Sequence, residues 1–203
     1  MNVISYHVSH AVQRLAVAAV GDRKDGLAMQ AIAPLSSAYV PWTGTAMRPS
    51  AIAAVLADVV IGERRRVVEL GGGVSTFYLG RLLRERGGHL WTVEHDERWA
   101  HLLRAQVERE GLGETATVIF APLAPTAHGY ADGARWFAED PLRPIAAAGG
   151  IDLLLVDGPP AHGAGVRHAR YPALPFFAGA LADGGTVVLD DILRRGEREI
   201  LHR

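Results

Sequence analysis

Five acidic residues stand at or near the ends of short apolar runs. Glu69 lies inside Val67-Val68-Glu69-Leu70, and Glu94 closes His89–Glu94. Asp157 follows Ile151–Val156, and Asp190 and Asp191 follow Thr186–Leu189. Carboxylates placed this way can accept hydrogen bonds from sugar hydroxyls, take a proton from an acceptor, or hold a divalent ion. The first run leads into Gly71-Gly72-Gly73-Val74-Ser75-Thr76. Glycine allows a tight turn and a close ligand approach, because no Cβ stands in the way. The free amides at the start of a following helix add donors. Glu94 comes roughly 20 residues later, where a carboxylate can accept from both ribose hydroxyls of a nucleoside cofactor. Two chemistries share this arrangement. A dinucleotide site prefers G-x-G-x-x-G, but Thr76 occupies the place of the third glycine. A plain glycine turn with no ligand is the remaining alternative.

Asp157, Asp190 and Asp191 project to the same edge as Gly71. One of them can act as a base, with Asp157 and Asp190 the catalytic candidates. The three together can hold Mg²⁺, which binds a few carboxylates and keeps several waters. The alternative is structural: Asp190 and Asp191 cap the last helix and Asp157 orders the Gly158-Pro159-Pro160 turn. His162, just past that turn, is a second candidate base or an exposed loop residue. Arg170 and Tyr171 precede Pro172 and are candidates to meet an anionic substrate, or Arg170 pairs with a surface acid. Trp42, Met47 and Arg48 precede the main domain, and Trp136 and Phe137 sit in the loop after the third strand. All are candidates to cover the site and select a substrate, with core packing the alternative for each aromatic. His7 and His10 can share a helix face, but a pair does not make a metal site.

The elements that must position these groups read as an alternation. Ser9 caps a helix to about Val20, Gly21–Gly26 is a polar turn, and Ser50 caps a helix over Ala51–Ile61 that Gly62 ends. Strands are expected over 67–70, 89–94, 115–120, 151–156 and 186–189. Helices are expected from Ser75 to the Gly87-Gly88 stop, over 97–110, over 172–182 and from about Asp191. Strands alternating with helices mean βαβ units and a parallel sheet. Near-continuous apolar strands such as Leu153–Val156 fit a sheet covered on both faces.

The chain has 203 residues, enough for one domain. It is 49% hydrophobic and 21% charged, so it can bury a core. Its 21 basic and 22 acidic residues leave a net charge of −1, which argues against a dedicated nucleic-acid binder. It has no cysteine, which excludes disulfides, zinc–cysteine sites and thiol nucleophiles. No apolar run approaches the roughly 18 residues of a membrane span. The segment Leu15–Val20 is too short for a signal peptide, so the default location is the cytoplasm.

Four segments then fall in a familiar order. Val67–Thr76 resembles the first motif of class I S-adenosylmethionine-dependent methyltransferases, and Thr92-Val93-Glu94-His95-Asp96 resembles the acidic second motif. Ile151–Pro160 and Gly184–Asp191 resemble the motifs of the fourth and fifth strands. Together they span about residues 50–195. Arg170-Tyr171-Pro172-Ala173-Leu174-Pro175 is similar to a segment of some bacterial small-molecule methyltransferases. The resemblance implies a Rossmann-like, doubly wound, mostly parallel sheet over 51–203, with 1–50 as a helical or irregular lid. It implies that Glu69 and the Gly71–Gly73 backbone, with Ser75 and Thr76, hold the methionine end of S-adenosylmethionine. Glu94 would bind the ribose, His95 or Asp96 would flank the adenosine, and Asp157 would close that side. Ala121-Pro122-Leu123 departs from the acid or amide often found near the adenine. Asp157, Asp190 and Asp191 match the Mg²⁺ set of some O-methyltransferases of the superfamily. The expected reaction is methylation of a small molecule, at oxygen, with or without Mg²⁺. The alternatives are a non-catalytic cofactor-binding or assembly module and an NAD(P)-dependent oxidoreductase. The full family fold ends in an antiparallel hairpin for which no candidate segment remains. That leaves truncation, a reduced fold, or a second subunit in a homo-oligomer covering the sheet edge.

Overall fold

The computed structural model describes residues 21–37, 40–163 and 165–203. The helix expected over 9–20, with His7 and His10, lies outside them. The expected turn at Gly21–Gly26 is instead helical: residues 21–32 form α1. Its Ala28 and Ile32 are buried, so tertiary packing overrides the turn signal of two glycines around charged residues. Helix α2, Pro49–Ile61, starts one residue before Ser50, with Pro49 in its first turn and Arg48 at the N-cap. Ser50 does not cap it. The cap comes from α1, where Asp25 Oδ1 accepts from the Ser50 amide at 3.1 Å and Oδ2 from Arg48 Nε at 2.7 Å.

Beyond α2 the alternation holds. The elements are β1 (Arg66–Leu70), α3 (Val74–Arg86), β2 (His89–Glu94), α4 (Glu97–Arg109) and β3 (Ala116–Phe120). A short hairpin follows, β4 (Leu123–Pro125) with β5 (Arg135–Phe137), then α5 (Arg143–Ala148). Neither was expected in so Pro- and Gly-rich a loop. Then come β6 (Ile151–Val156), α6 (Ala173–Phe177), β7 (Leu181–Leu189) and α7 (Arg195–Leu201). The helix expected over 172–182 stops early, because β7 begins at Leu181 and takes in Gly184-Gly185 through a register shift opposite Ile151–Leu153. The last helix starts at Arg195, not near Asp191, because Asp191 has φ +60°, outside the right-handed helical region.

The main sheet has the order β3-β2-β1-β6-β7, with every neighbouring pair parallel. Successive residues of β1 point to opposite faces. Val67 joins a core with Phe77, Leu83, Leu103 and Val59, under α2, α3 and α4. Val68 and Leu70 join a second core with Trp136, Phe137, Ile145 and Phe177. The sheet is thus covered on both faces, in the Rossmann-like manner the motifs imply. The strand order reverses direction between β1 and β6. In open α/β sheets ligands bind outside the carboxyl ends of the strands at such a point. None of the helices among the described residues is long and apolar enough to cross a membrane.

Candidate active site

The carboxyl ends of β1 and β6 meet in backbone contact. Gly71 has φ +97°, and a Cβ on it would stand 2.8 Å from the Gly158 amide nitrogen. A Cβ on Gly158 would stand 2.8 Å from Gly71 Cα. Only glycine fits on either side. Gly72 is needed for packing, since its Cβ would lie 2.5 Å from Leu103 and 2.6 Å from Thr92. Its carbonyl accepts from Trp99 Nε1 at 2.8 Å. Gly73 differs, because its added Cβ would meet nothing within 4 Å, and it faces the cleft. The Gly73 amide donates to Thr76 Oγ1 at 3.0 Å and closes the first turn of α3.

Glu69 lies under this turn and not in the cleft wall. It is fully buried, on the α3–α4 side of the sheet. Its carboxylate accepts from Ser75 Oγ at 2.5 Å and from Thr76 Oγ1 and Thr92 Oγ1 at 2.6 Å. Burial pushes its carboxyl up, and the three hydroxyls pull it back. These bonds tie β1, β2 and the start of α3 together, so Glu69, Thr76 and Thr92 shape the glycine turn from below. Glu69 is buried and does not line the cleft, so the structure gives it no direct path to the cofactor that the resemblance had it hold.

Glu94 does face the cleft. Its Oε1 accepts from the His95 and Asp96 amides at 2.7 and 2.8 Å and from His95 Nδ1 at 2.8 Å. The carboxylate holds the His95 ring above the ordinary histidine range. Among the described residues, Glu94 Oε2 has no hydrogen-bond partner, although the side chain is nearly buried. That oxygen opens onto the cleft, where a ribose diol can donate to it. That oxygen and the open face at Gly73 are the two features that fit the implied cofactor. Asp96 also caps α4, through its bond from the Trp99 amide at 2.8 Å.

Across the cleft, Asp157, Asp190 and Asp191 converge, each with a carboxylate oxygen within 4.8 Å of the others. Arg170 stands among them, with only 4% of its side chain exposed. Its Nη2 donates to Asp157 Oδ1 at 3.2 Å and to the Asp157 carbonyl at 2.7 Å. Its Nη1 donates to Asp191 Oδ2 at 3.1 Å and to the Asp190 carbonyl at 3.3 Å, and Nε to the Pro159 carbonyl at 3.3 Å. The expectation that Arg170 receives a substrate anion is therefore corrected: its donors are committed within the protein. Burial first, and the Asp190 carboxylate second, push Asp157 up to about 8 against the pull of Arg170. Asp157 Oδ2 and the Asp190 carboxylate have no hydrogen-bond partner among the described residues. The expected Mg²⁺ site has the required oxygens, but a buried cation already bridges two of its three carboxylates. As arranged, the set does not fit a divalent ion.

The other expected residues divide. His162 is exposed on the cleft rim, and Ser75 lines the floor. Trp136 is completely buried against Phe137, Phe176 and Phe177, so it belongs to the core and not to the cleft. Tyr171 packs edge-on against Tyr130 outside the cleft lining. Arg48 is engaged with Asp25 and Asp22 at the start of α2. Trp42 is 39% exposed and tilts toward Tyr78, off the cleft. The neighbouring Thr43, Thr45, Ala46 and Met47 form the wall instead. Trp99 and Arg194, which also line the cleft, were not singled out. Trp99 reaches it from the first turn of α4, and the cleft has a volume of about 430 Å³.

A family profile described as a methyltransferase domain matches residues 68–192. The chain is 25% identical to a catechol O-methyltransferase of Mycobacterium tuberculosis, over 87% of this chain and 69% of the relative. Among solved structures, an SAH-bound methyltransferase of Podospora anserina matches with a TM-score of 0.61, covering 91% of this chain and 71% of that one at 15% identity. An O-methyltransferase from Bacillus cereus in complex with SAH matches with a TM-score of 0.57, over 86% and 69%, at 23% identity. At such identities the solved structures attest the fold.

Proposed function

The chain belongs to the methyltransferase-domain family of S-adenosylmethionine-dependent enzymes, and from that premise we propose that it methylates a hydroxyl oxygen of a small molecule, with Asp157 as the base. The observation that carries this reading is the placement of Asp157. It ends β6 directly across the Gly71–Gly158 contact from the glycine turn, in the same cleft, with one carboxylate oxygen uncommitted. Oxygen as the acceptor atom is supported by the catechol O-methyltransferase relative. A small acceptor is supported by the cleft volume and the near-neutral charge of the chain.

S-adenosylmethionine supplies an activated methyl group on a sulfonium. The chain's residues do the rest. Glu94 takes the ribose hydroxyls, and the bare Gly73 face lets the donor lie against the backbone. An acceptor hydroxyl gives its proton to Asp157 Oδ2 as its oxygen forms the new bond to the methyl carbon. The bound donor would supply the methyl group and keep the electron pair of its carbon–sulfur bond as a neutral thioether. Asp190 acts through Asp157, because its charge helps to hold the Asp157 proton affinity near neutrality, where a base is effective. The Thr43–Met47 wall and His162 flank the space left for the acceptor. Much of the acceleration in such a transfer comes from alignment of donor and acceptor.

Calorimetry with S-adenosylhomocysteine beside NADH, on wild type and Glu94→Ala, tests the cofactor. Binding of the first alone, weakened by the substitution, is expected, and binding of NADH would favour the oxidoreductase reading. Turnover of a panel of phenolic and alcoholic acceptors tests the chemistry. His162→Ala should retain most of that turnover, and a loss as large as that of Asp157→Asn would move the base to His162.

A further inference from the structure

We infer that the Arg170 guanidinium fills the place a divalent ion would take between Asp157 and Asp191, so that this chain orients its base without a metal. The part of this that concerns orienting a base rests on the reading above. The part that concerns ion exclusion does not.

The argument begins with occupancy. A Mg²⁺ ion bound by these carboxylates needs their oxygens at about 2.0–2.1 Å. Asp157 Oδ1 and Asp191 Oδ2 already accept from Nη2 and Nη1 of one guanidinium, at 3.2 and 3.1 Å, so an ion would be left with their second oxygens and Asp190, beside that charge. Arginine cannot relieve the conflict by losing a proton. Nor is it free to swing away, since it is buried and three backbone carbonyls, of Asp157, Pro159 and Asp190, hold it in its plane. A divalent cation would have to sit beside a fixed charge in a poorly screened site, where like charges repel strongly.

The surroundings were built around that guanidinium. Glu197, 1% exposed, turns Oε1 toward it at 3.9 Å without a hydrogen bond. Arg194 backs the same group from the cleft side, 2.7 Å from Asp191 and 3.9 Å from Glu197. Gly196 lets α7 press onto this layer, because a Cβ there would meet the Arg167 carbonyl at 2.1 Å. Arg170 thereby fixes one oxygen of Asp157 and leaves the other turned toward the acceptor. It is a positioning residue that acts through Asp157.

The test is a Mn²⁺ titration followed by electron paramagnetic resonance on wild type, Arg170→Ala and Arg170→Lys, with S-adenosylhomocysteine calorimetry on each. Wild type should show no Mn²⁺ binding tighter than about 1 mM, the weak end for oxygen-ligand sites. Arg170→Ala should bind Mn²⁺ at least about tenfold more tightly, an affinity gain of about 1.4 kcal/mol. Arg170→Lys keeps a point charge but loses the planar fork. It should exclude Mn²⁺ like wild type while kcat falls and KM for the acceptor holds. Wild-type turnover should survive EDTA. Submillimolar Mn²⁺ binding by wild type that Asp190→Asn abolishes would overturn the inference, as would loss of turnover in EDTA with recovery in Mg²⁺. If Arg170→Ala does not fold, the wild-type titration and the lysine variant still decide. Failure of the methyltransferase reading shows separately, as absent S-adenosylhomocysteine binding with the Mn²⁺ result unchanged.

Discussion

Glu94 after β2 and Asp157 and Asp191 after β6 and β7 line one cleft of about 430 Å³, with Glu69 buried beneath its glycine turn, yet these acids are held by different chemistry. Glu69 is held by three hydroxyls, and Glu94 by two backbone amides and the His95 ring. Asp157 and Asp191 are held by a guanidinium. N–H donors on the first side fix one oxygen of Glu94 and leave the other open to the cleft. A fixed cation on the second side offsets part of the charge and turns the carboxylates in set directions. On the proposed reading, the first side binds and the second orients.

Substitutions can break that contrast. The largest effect is expected from Asp157→Asn, which should lower kcat/KM by about 10²–10⁴, the usual range for a general base. S-adenosylhomocysteine affinity should barely move, and parallel loss of both would mean that Asp157 binds and does not orient. The pH profile sharpens the same point. A base works only when ionised, and Asp157 is pushed up to about 8. Wild-type kcat/KM should therefore fall as pH drops through about 8, and the residual activity of Asp157→Asn should lack that limb. Next comes Glu94→Ala. Loss of a hydrogen-bonded charge costs about 1.5–3 kcal/mol, or roughly 10- to 100-fold in affinity by calorimetry. A neighbouring pair of glycines gives a finer test. Gly72→Ala overpacks Leu103 and Thr92 and should destabilise by about 1–3 kcal/mol in urea unfolding. Gly73→Ala should leave the unfolding midpoint unchanged and weaken S-adenosylhomocysteine by blocking the open face. The smallest effect is expected of Thr92→Ala, about 1 kcal/mol of stability, since Glu69 keeps its other two donors.

The two sides were also unequally legible. The binding side is written in consecutive residues, because its turn is backbone and its acid ends the next strand. Reading β1, the glycine turn and Glu94 therefore pointed to the cleft that the structure forms there. What failed there was depth. Side-chain alternation along β1 puts Glu69 under the turn, a fact that needs the facing Ser75 and Thr92 to be seen. On the side of the aspartates, both they and Arg170 were legible as candidates, but not that Arg170 pairs with Asp157 and Asp191. Arg170 reaches them only because the chain loops back after the Gly158–Pro160 turn, and no spacing rule announces that return. Trp136 and Trp42 misled for a related reason. An aromatic in a loop reads the same whether it lines a cleft or fills a core, and only the hairpin β4–β5 and Phe177 decide it for Trp136.

The backbone contact between Gly71 and Gly158 has a consequence for redesign of this protein. It joins the proposed donor cradle and the proposed base through main chain alone, so that no side chain sets their spacing. Acceptor choice is then separable from reaction geometry. Variation confined to Thr43, Thr45, Ala46 and His162 should change which molecules are methylated while the in-line alignment persists. The same fold can thus be retargeted from its rim, by libraries that leave the two glycines alone.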